Sequence, residues 1–177
     1  MQLLSRQRGV SLIEVLVAVL IFSIGLIGLA GMLVMATRSN QAAYLRTQVT
    51  FLAHNMADRM TANPIGVWNG DYDKEHYKSI TADDTDCDGS SPCDPATLAT
   101  HDQQAWSAQL RTFLPAADAS ITCTKNTSFA PSADQINMRP PYGGNCAMTI
   151  TWNEQKTGDS SNRKDATPQT FAWNFQP

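Results

Sequence analysis

The stretch Arg6-Gln7-Arg8-Gly9-Val10-Ser11-Leu12-Ile13-Glu14-Val15 places a basic leader ending in glycine directly before a long apolar segment that carries one acid near its start. No soluble domain needs that order. From Val15 to Thr37 no side chain is charged, and a helix of that length, rising ~1.5 Å per residue, spans about 35 Å, enough for a bilayer core. Glu14 stands just inside this segment. A carboxylate near the bilayer centre costs roughly 2.5–3.5 kcal/mol on insertion scales, and less near an interface, so its presence points to a function and to a partner charge.

An ordinary secretory leader is cut after its apolar region and loses it, whereas here the small residue Gly9 precedes that region. The apolar helix is then kept. Cutting after Gly9 creates an α-amine on Val10, one helical turn before Glu14, and a new cation beside a buried acid lowers the acid's cost. The block Gly9-Val10-Ser11-Leu12-Ile13-Glu14-Val15-Leu16 resembles the type III signal of type IV prepilins and pseudopilins. The resemblance implies cleavage between Gly9 and Val10 by a prepilin peptidase, methylation of the new Val10 amine, and a role for Glu14 in subunit docking. Val10 departs from the family, which most often has Phe at that place. The competing reading is an uncleaved signal anchor with a chance acid.

With 177 residues there is room for one domain beside a long helix. A net charge of −3 and a pI near 5.5 give no global basic footprint, which disfavours nucleic-acid binding by the whole surface. Arg6 and Arg8 lie upstream of the apolar helix, so the positive-inside tendency keeps the N-terminus cytoplasmic in a single-pass inner-membrane topology. Cys87, Cys93, Cys123 and Cys146 all lie downstream, on the periplasmic side, where disulfides are the expected state. The cysteine count alone leaves the connectivity open.

The chain divides into a leader over residues 1–9, a membrane or filament-core helix over 10–37, an amphipathic continuation over 38–63 and a globular periplasmic domain over 64–177. Leu45, Val49, Leu52, Met56 and Met60 recur at helical intervals, with Arg38, Arg46 and Arg59 outside the series. The helix should stop at Asn63-Pro64, because proline biases its predecessor away from helix and lacks a donor. Unbroken, it would run about 80 Å at ~1.5 Å per residue. Gly25, Gly28 and Gly31 form a small-residue stripe suited to close helix packing. The alternative is local unwinding at Gly31, where related major pilins usually carry a proline.

Residues 64–93 turn polar and acidic and read as loop, with a turn at Trp68-Asn69-Gly70-Asp71. Asp94-Pro95 reads as an N-cap followed by proline at the first helical position, opening a helix over about 95–114. Segments near 119–125, 146–154 and 169–175 have strand composition and partial alternation, and the stretches 126–144 and 155–168 read as surface loops. The fold class is therefore α+β: a pilin-like arrangement of one long N-terminal helix, a short helix and a small antiparallel sheet. In that layout Cys123 and Cys146 fall on the first two strands and Cys87 with Cys93 closes a short loop, giving two staples for a domain of limited core.

The helix run Asn40-Gln41-Ala42-Ala43-Tyr44-Leu45-Arg46-Thr47-Gln48, then Met56-Ala57-Asp58-Arg59-Met60-Thr61-Ala62-Asn63, resembles the PilV type of minor pilin, the type IV pilus modification protein. The similarity continues through Leu98-Ala99, Asp102, Trp106, Leu114-Pro115 and Thr149-Ile150-Thr151-Trp152. It implies a non-enzymatic subunit without a cofactor that joins other minor pilins and the major pilin, primes assembly on an inner-membrane platform, and sits near the pilus tip, supporting twitching motility and presentation of an adhesin. Taken alone, the Ala57-Asp58-Arg59-Met60 run could be only a solvated helix face.

His54, His76 and His101 have no ligand spacing, and no phosphate loop or nucleophile elbow occurs. Asp84, Asp86, Asp88 and Gly89 match the opening of a calcium loop, but Pro95 stands where a bidentate Glu is expected and Cys87 interrupts the loop. A solvated acidic loop stapled by Cys87 and Cys93 is the better reading. Two other functions stay in view. One is a type II secretion pseudopilin, which shares the signal and helix. The other is a tip receptor for DNA or a surface, in which Trp68, Tyr72 and Tyr77 stack and Lys74 and Lys78 meet phosphate, although Asp71, Asp73 and Glu75 interleave with them.

Overall fold

The computed structural model describes residues 9–81, 87, 92–126, 128, 130–154 and 167–177. The chain forms two units, residues 1–40 and 41–177, and helix α1 (Leu12–Ala62) contributes to both. In the first unit the helix begins where the Glu14 and Val15 N–H groups donate to the Ser11 carbonyl, at 3.0 and 3.3 Å. Gly9, Val10 and Ser11 precede it without regular structure, so the helix starts two residues later than the sequence suggests. It runs unbroken through Gly25, Gly28 and Gly31, where an added Cβ would meet nothing within 4 Å. Its large apolar side chains are open, Leu12 at 83% and Ile27 at 74% of full exposure. Among the described residues this is the one helix long and apolar enough to cross a membrane, with a mean hydropathy of 2.7 over 18 residues.

In the second unit α1 changes character. Val49, Leu52, Ala53, Met56 and Met60 are fully buried and form one face of the core. Complete burial of such a side chain contributes about 1.5–3 kcal/mol, so a charge at Met56 would remove that contribution and add a desolvation cost. The helix ends at Ala62. Asn63 leaves the helical region at φ −122°, and its side-chain Oδ1 accepts from Gly66 N at 3.2 Å, capping a second helix, α2 (Pro64–Asn69).

Residues 64–93 therefore hold more regular structure than a loop. Pro64 occupies the first turn of α2, where its missing donor is not needed. Burial of Val67 and Trp68 holds the turn in place, and Gly70 ends it at φ +80°, a conformation that favours glycine. A Cβ at Gly66 would lie 2.5 Å from Asn63 Nδ2 and so displace the side chain that caps α2. A 3-10 turn follows at Tyr77–Ser79. Helix α3 (Pro95–Phe113) is opened by Asp94, whose Oδ1 accepts from Ala96 N and Thr97 N at 3.0 and 2.9 Å.

The sheet has the order β1 (Asp118–Lys125), β2 (Gly144–Glu154), β3 (Thr167–Phe175), and both pairings are antiparallel. The stretch between β1 and β2 is not all loop: α4 (Ala133–Asn137) is held by a reciprocal capping box between Ser132 and Gln135. Of the presumed loop 155–168, residues 155–166 lie outside the described residues, and Thr167 and Pro168 belong to β3. Register places Ile121 opposite Met148, and Met148 opposite Trp173, so alternate residues share the face that packs against the core. Cys146, Met148, Ile150 and Trp152 are buried along β2. The result is an α+β fold: the long helix on a three-stranded antiparallel sheet, with two disulfides.

Candidate functional site

The N-terminal segment gathers the processing and assembly candidates in one place. Gly9 is exposed, and Val10 keeps 70% of its surface open in non-helical backbone directly before α1. An accessible peptide outside regular structure is what a protease requires. Glu14 lies in the first turn, where the unpaired N–H groups and the helix dipole favour a negative charge. Its carboxylate has no partner among the described residues. Val10, Glu14, Ala18 and Phe22 line one shallow apolar groove along the helix. In an apolar medium a cation beside that carboxylate would pair with it more strongly than in water.

The globular unit carries a second constellation, built where α1, α2 and α3 meet. Arg59 Nη1 donates to Asp102 Oδ1 at 2.8 Å while its Nε donates to Asn55 Oδ1 at 3.0 Å. Tyr72 OH donates to the other Asp102 oxygen at 2.7 Å. Asn63 Nδ2 donates to Tyr72 OH at 3.1 Å and to the Pro95 carbonyl at 2.8 Å. Burial, reinforced by the Asp102 hydrogen bond and charge, pushes the Tyr72 phenol far above its ordinary value. Burial raises Tyr77 in the same way, and its OH donates to the Tyr72 carbonyl at 2.6 Å. Arg59 is thus no solvated face residue: Asp58 is exposed, but Arg59 and Asn63 tie the end of α1 to the rest of the unit. Chemically this network is a clamp. Both Asp102 oxygens accept, one from Arg59 and one from Tyr72, so the carboxylate ties α1 and the segment after α2 to α3.

The loop before the 3-10 turn is held to β1. Lys74 N donates to Ile121 O at 3.0 Å and Ile121 N returns the bond at 2.9 Å. Asp73 Oδ1 accepts from Cys123 N at 2.9 Å, and desolvation pushes the pKa of this carboxyl above its ordinary value although that bond and Lys125 oppose the change. Asp118 meets Lys78 Nζ and His76 Nδ1, each at 2.9 Å. Desolvation works against its ionised form, but the Lys78 side chain and backbone and His76 together hold it below the usual carboxylate range.

Trp68, Tyr72 and Tyr77 are at most 2% exposed, which corrects their reading as a stacking platform: they cannot offer a face to a base. Lys78 is engaged with Asp118. Cys123 and Cys146 are directly opposite across β1 and β2 and form one disulfide, with Cα atoms 4.0 Å apart. Cys87 and Cys93 form the other, with Cα atoms 5.5 Å apart. Asp84, Asp86 and Asp88 lie outside the described residues. Among the described residues no group of three metal-ligating side chains is brought together. His54 is exposed and lies against Trp173, ring centroids 4.7 Å apart.

Residues 4–30 match the family described as the prokaryotic N-terminal methylation motif. The match supports a type IV pilin-like prepilin or pseudopilin. It covers the segment that holds Gly9, Val10 and Glu14, and it favours a structural subunit, membrane anchoring through the apolar helix, and dealings with pilins and a prepilin peptidase in general. No curated protein and no solved structure matches the chain. The Arg59–Asp102–Tyr72 clamp was hidden from sequence reasoning because its members are scattered along the chain. The signals the sequence offered were the Ala57-to-Asn63 run and Asp102, both within the resembling stretches but with no sign that they meet.

Proposed function

We propose that this chain is a minor pilin of the PilV type, a non-enzymatic subunit that takes part in priming type IV pilus assembly and in the tip complex, and so in twitching motility and adhesion. The observation that carries the reading is the order of Gly9, a retained apolar helix, and a first-turn Glu14 with no partner among the described residues. A prepilin peptidase cuts between Gly9 and Val10, the Val10 amine is methylated, and Glu14 receives a neighbouring subunit's amine during docking. The apolar half of α1 then moves from bilayer to filament core. Both surroundings are apolar, so the transfer costs little hydrophobic free energy. The leader faces the cytoplasm and the globular unit the periplasm, which suits two disulfides in an oxidising compartment. Partners in this reading are the other minor pilins, the major pilin, the inner-membrane assembly platform and a tip adhesin.

The Ala57-Asp58-Arg59-Met60-Thr61-Ala62-Asn63 run and the acidic loop that bears Cys87 and Cys93 favour the pilus over a type II secretion pseudopilin. Deleting the gene and scoring surface pili and exoprotein secretion side by side separates the two. Loss of pili with intact secretion supports the minor pilin, and loss of secretion alone overturns it.

A further inference from the structure

The strand disulfide is lopsided. Cys146 is fully buried on the middle strand, with Cys123 opposite on β1 and Phe175 opposite on β3. Cys123 is only partly buried. A thiolate arriving from solvent therefore reaches one of the two sulfurs and not the other. Thiol–disulfide exchange is a displacement at the attacked sulfur, so attack at Cys123 makes Cys146 the leaving group. The Cys146 thiolate would then form in the apolar interior, where desolvation disfavours the charge.

A charge stands beside the reachable sulfur. Asp73 is exposed, and its Oδ1 accepts from the Cys123 N–H at 2.9 Å. Cys123 Sγ is three bonds from that nitrogen, a reach of roughly 4 Å, so the carboxylate lies within about 7 Å of the sulfur. Asp73 is held there, since the next residue, Lys74, exchanges both backbone hydrogen bonds with Ile121 of β1. Two like unit charges at that distance in water lower the local concentration of the attacking anion roughly threefold. Lys125 is the opposing charge: it lies two residues beyond Cys123, on the same side of β1, and its field reaches Asp73.

We propose that Asp73 is an electrostatic guard of the Cys123–Cys146 disulfide, slowing its exchange with anionic thiols at the one sulfur that solvent reaches. In the step it opposes, a thiolate sulfur bonds to Cys123 Sγ, the Cys123–Cys146 bond breaks, and its electron pair goes to Cys146 Sγ, which then takes up a proton. A second thiolate displaces Cys123 from the mixed disulfide, so the chain gains two electrons and the two small thiols leave as their own disulfide. The guard belongs to the globular unit alone and holds whatever the chain assembles with.

The test follows reduction of the full chain in a neutral detergent at about pH 8, far above the ordinary carboxylate range. Free thiols are trapped at intervals and mapped, so that opening of Cys123–Cys146 is counted separately from Cys87–Cys93. Three thiols of similar size are compared: mercaptoethanesulfonate, mercaptoethanol, and cysteamine, whose ammonium cancels the thiolate charge. Asp73→Asn keeps an oxygen for the Cys123 N–H and removes only the charge. It should speed opening by the sulfonate thiol about threefold or more, by mercaptoethanol less, and by cysteamine hardly at all. Lys125→Gln should slow the sulfonate thiol. In the unaltered chain, raising salt from about 0.01 M to about 1 M shortens the screening length from about 30 Å to about 3 Å, and should speed the sulfonate thiol while leaving cysteamine as it was. That series needs no variant to fold. Equal acceleration of all three thiols in Asp73→Asn, which would mean a loosened strand end and not a lost charge, overturns the proposal. So does no acceleration, or a sulfonate rate that ignores salt.

Discussion

Arg59 on α1 and Asp102 on α3 form an ion pair of 2.8 Å in which the acid side chain is 8% exposed and the guanidinium 25%. Because Tyr72 donates to the second Asp102 oxygen, removing Asp102 strands two donors at once. Breaking a buried pair by deleting one partner costs roughly 3–5 kcal/mol, and partial access of water to Arg59 places Asp102→Ala near the lower end, at about 3 kcal/mol. Urea unfolding of the full chain in detergent measures it. A double-mutant cycle with Arg59→Ala should return a coupling of about 1–3 kcal/mol. Additive single effects would show that the pair is incidental.

Such a pair shows why parts of the molecule could be read from sequence and others could not. The buried stripe of α1 and the Asp94-Pro95 start of α3 are local patterns, set by helix periodicity and capping chemistry within a few residues. The partner of Arg59 lies 43 positions away, so its burial is a property of the assembled unit. Pro64 signals the end of α1 correctly, yet the same proline opens α2, because Asn63 is at once the residue after one helix and the cap of the next. Trp68, Tyr72 and Tyr77 look like an exposed aromatic set beside lysines. They are buried because the loop folds back on β1 through Lys74 and Asp73.

Those buried phenols set an alkaline limit. Tyr72 and Tyr77 have raised values in the folded chain, from the ordinary 10.0, mainly through desolvation. Above pH 10 the unfolded chain loses their protons and the folded chain keeps them, so the unfolded state is favoured as pH rises further. Stability should be flat through neutral pH and fall beyond about pH 10. Phenolate absorbance should rise in step with loss of tertiary signal. Replacing both with Phe should reduce that alkaline slope, leaving the part that burial of Tyr142 contributes, although Tyr72→Phe also leaves Asp102 one donor short.

The strand-to-strand disulfide should matter more than the loop disulfide. Cys123 and Cys146 are 23 apart in sequence and Cys87 and Cys93 are 6 apart. In the chain-entropy view, the longer bridge contributes about 3 kcal/mol and the shorter one somewhat less. Replacing Cys123 and Cys146 together with Ser should make the globular unit protease-sensitive, and replacing Cys87 and Cys93 should act mainly near those residues. Limited proteolysis of the two double variants compares them. Non-reducing peptide mapping should show both bridges in the wild-type chain.

The last expectation concerns the N-terminal site, where insertion and assembly pull on Glu14 in opposite directions. Its carboxylate is a cost in the bilayer, roughly 2.5–3.5 kcal/mol at the centre and less near an interface. Glu14→Ala should therefore insert at least as well as wild type. In the proposed docking step, however, the carboxylate draws in a neighbour's amine, and an isosteric but neutral Glu14→Gln keeps the shape without the charge. Both variants should be cleaved to a Val10 terminus by intact mass, reach the membrane in wild-type amounts, and co-purify poorly with partner pilins. Gly9→Val supplies the opposite phenotype, since it should leave uncleaved precursor in the membrane. If Glu14→Gln co-purifies with pilins as wild type does, charge pairing is not what Glu14 contributes, and its place in the first turn of α1 would reflect only the favourable end of the helix dipole.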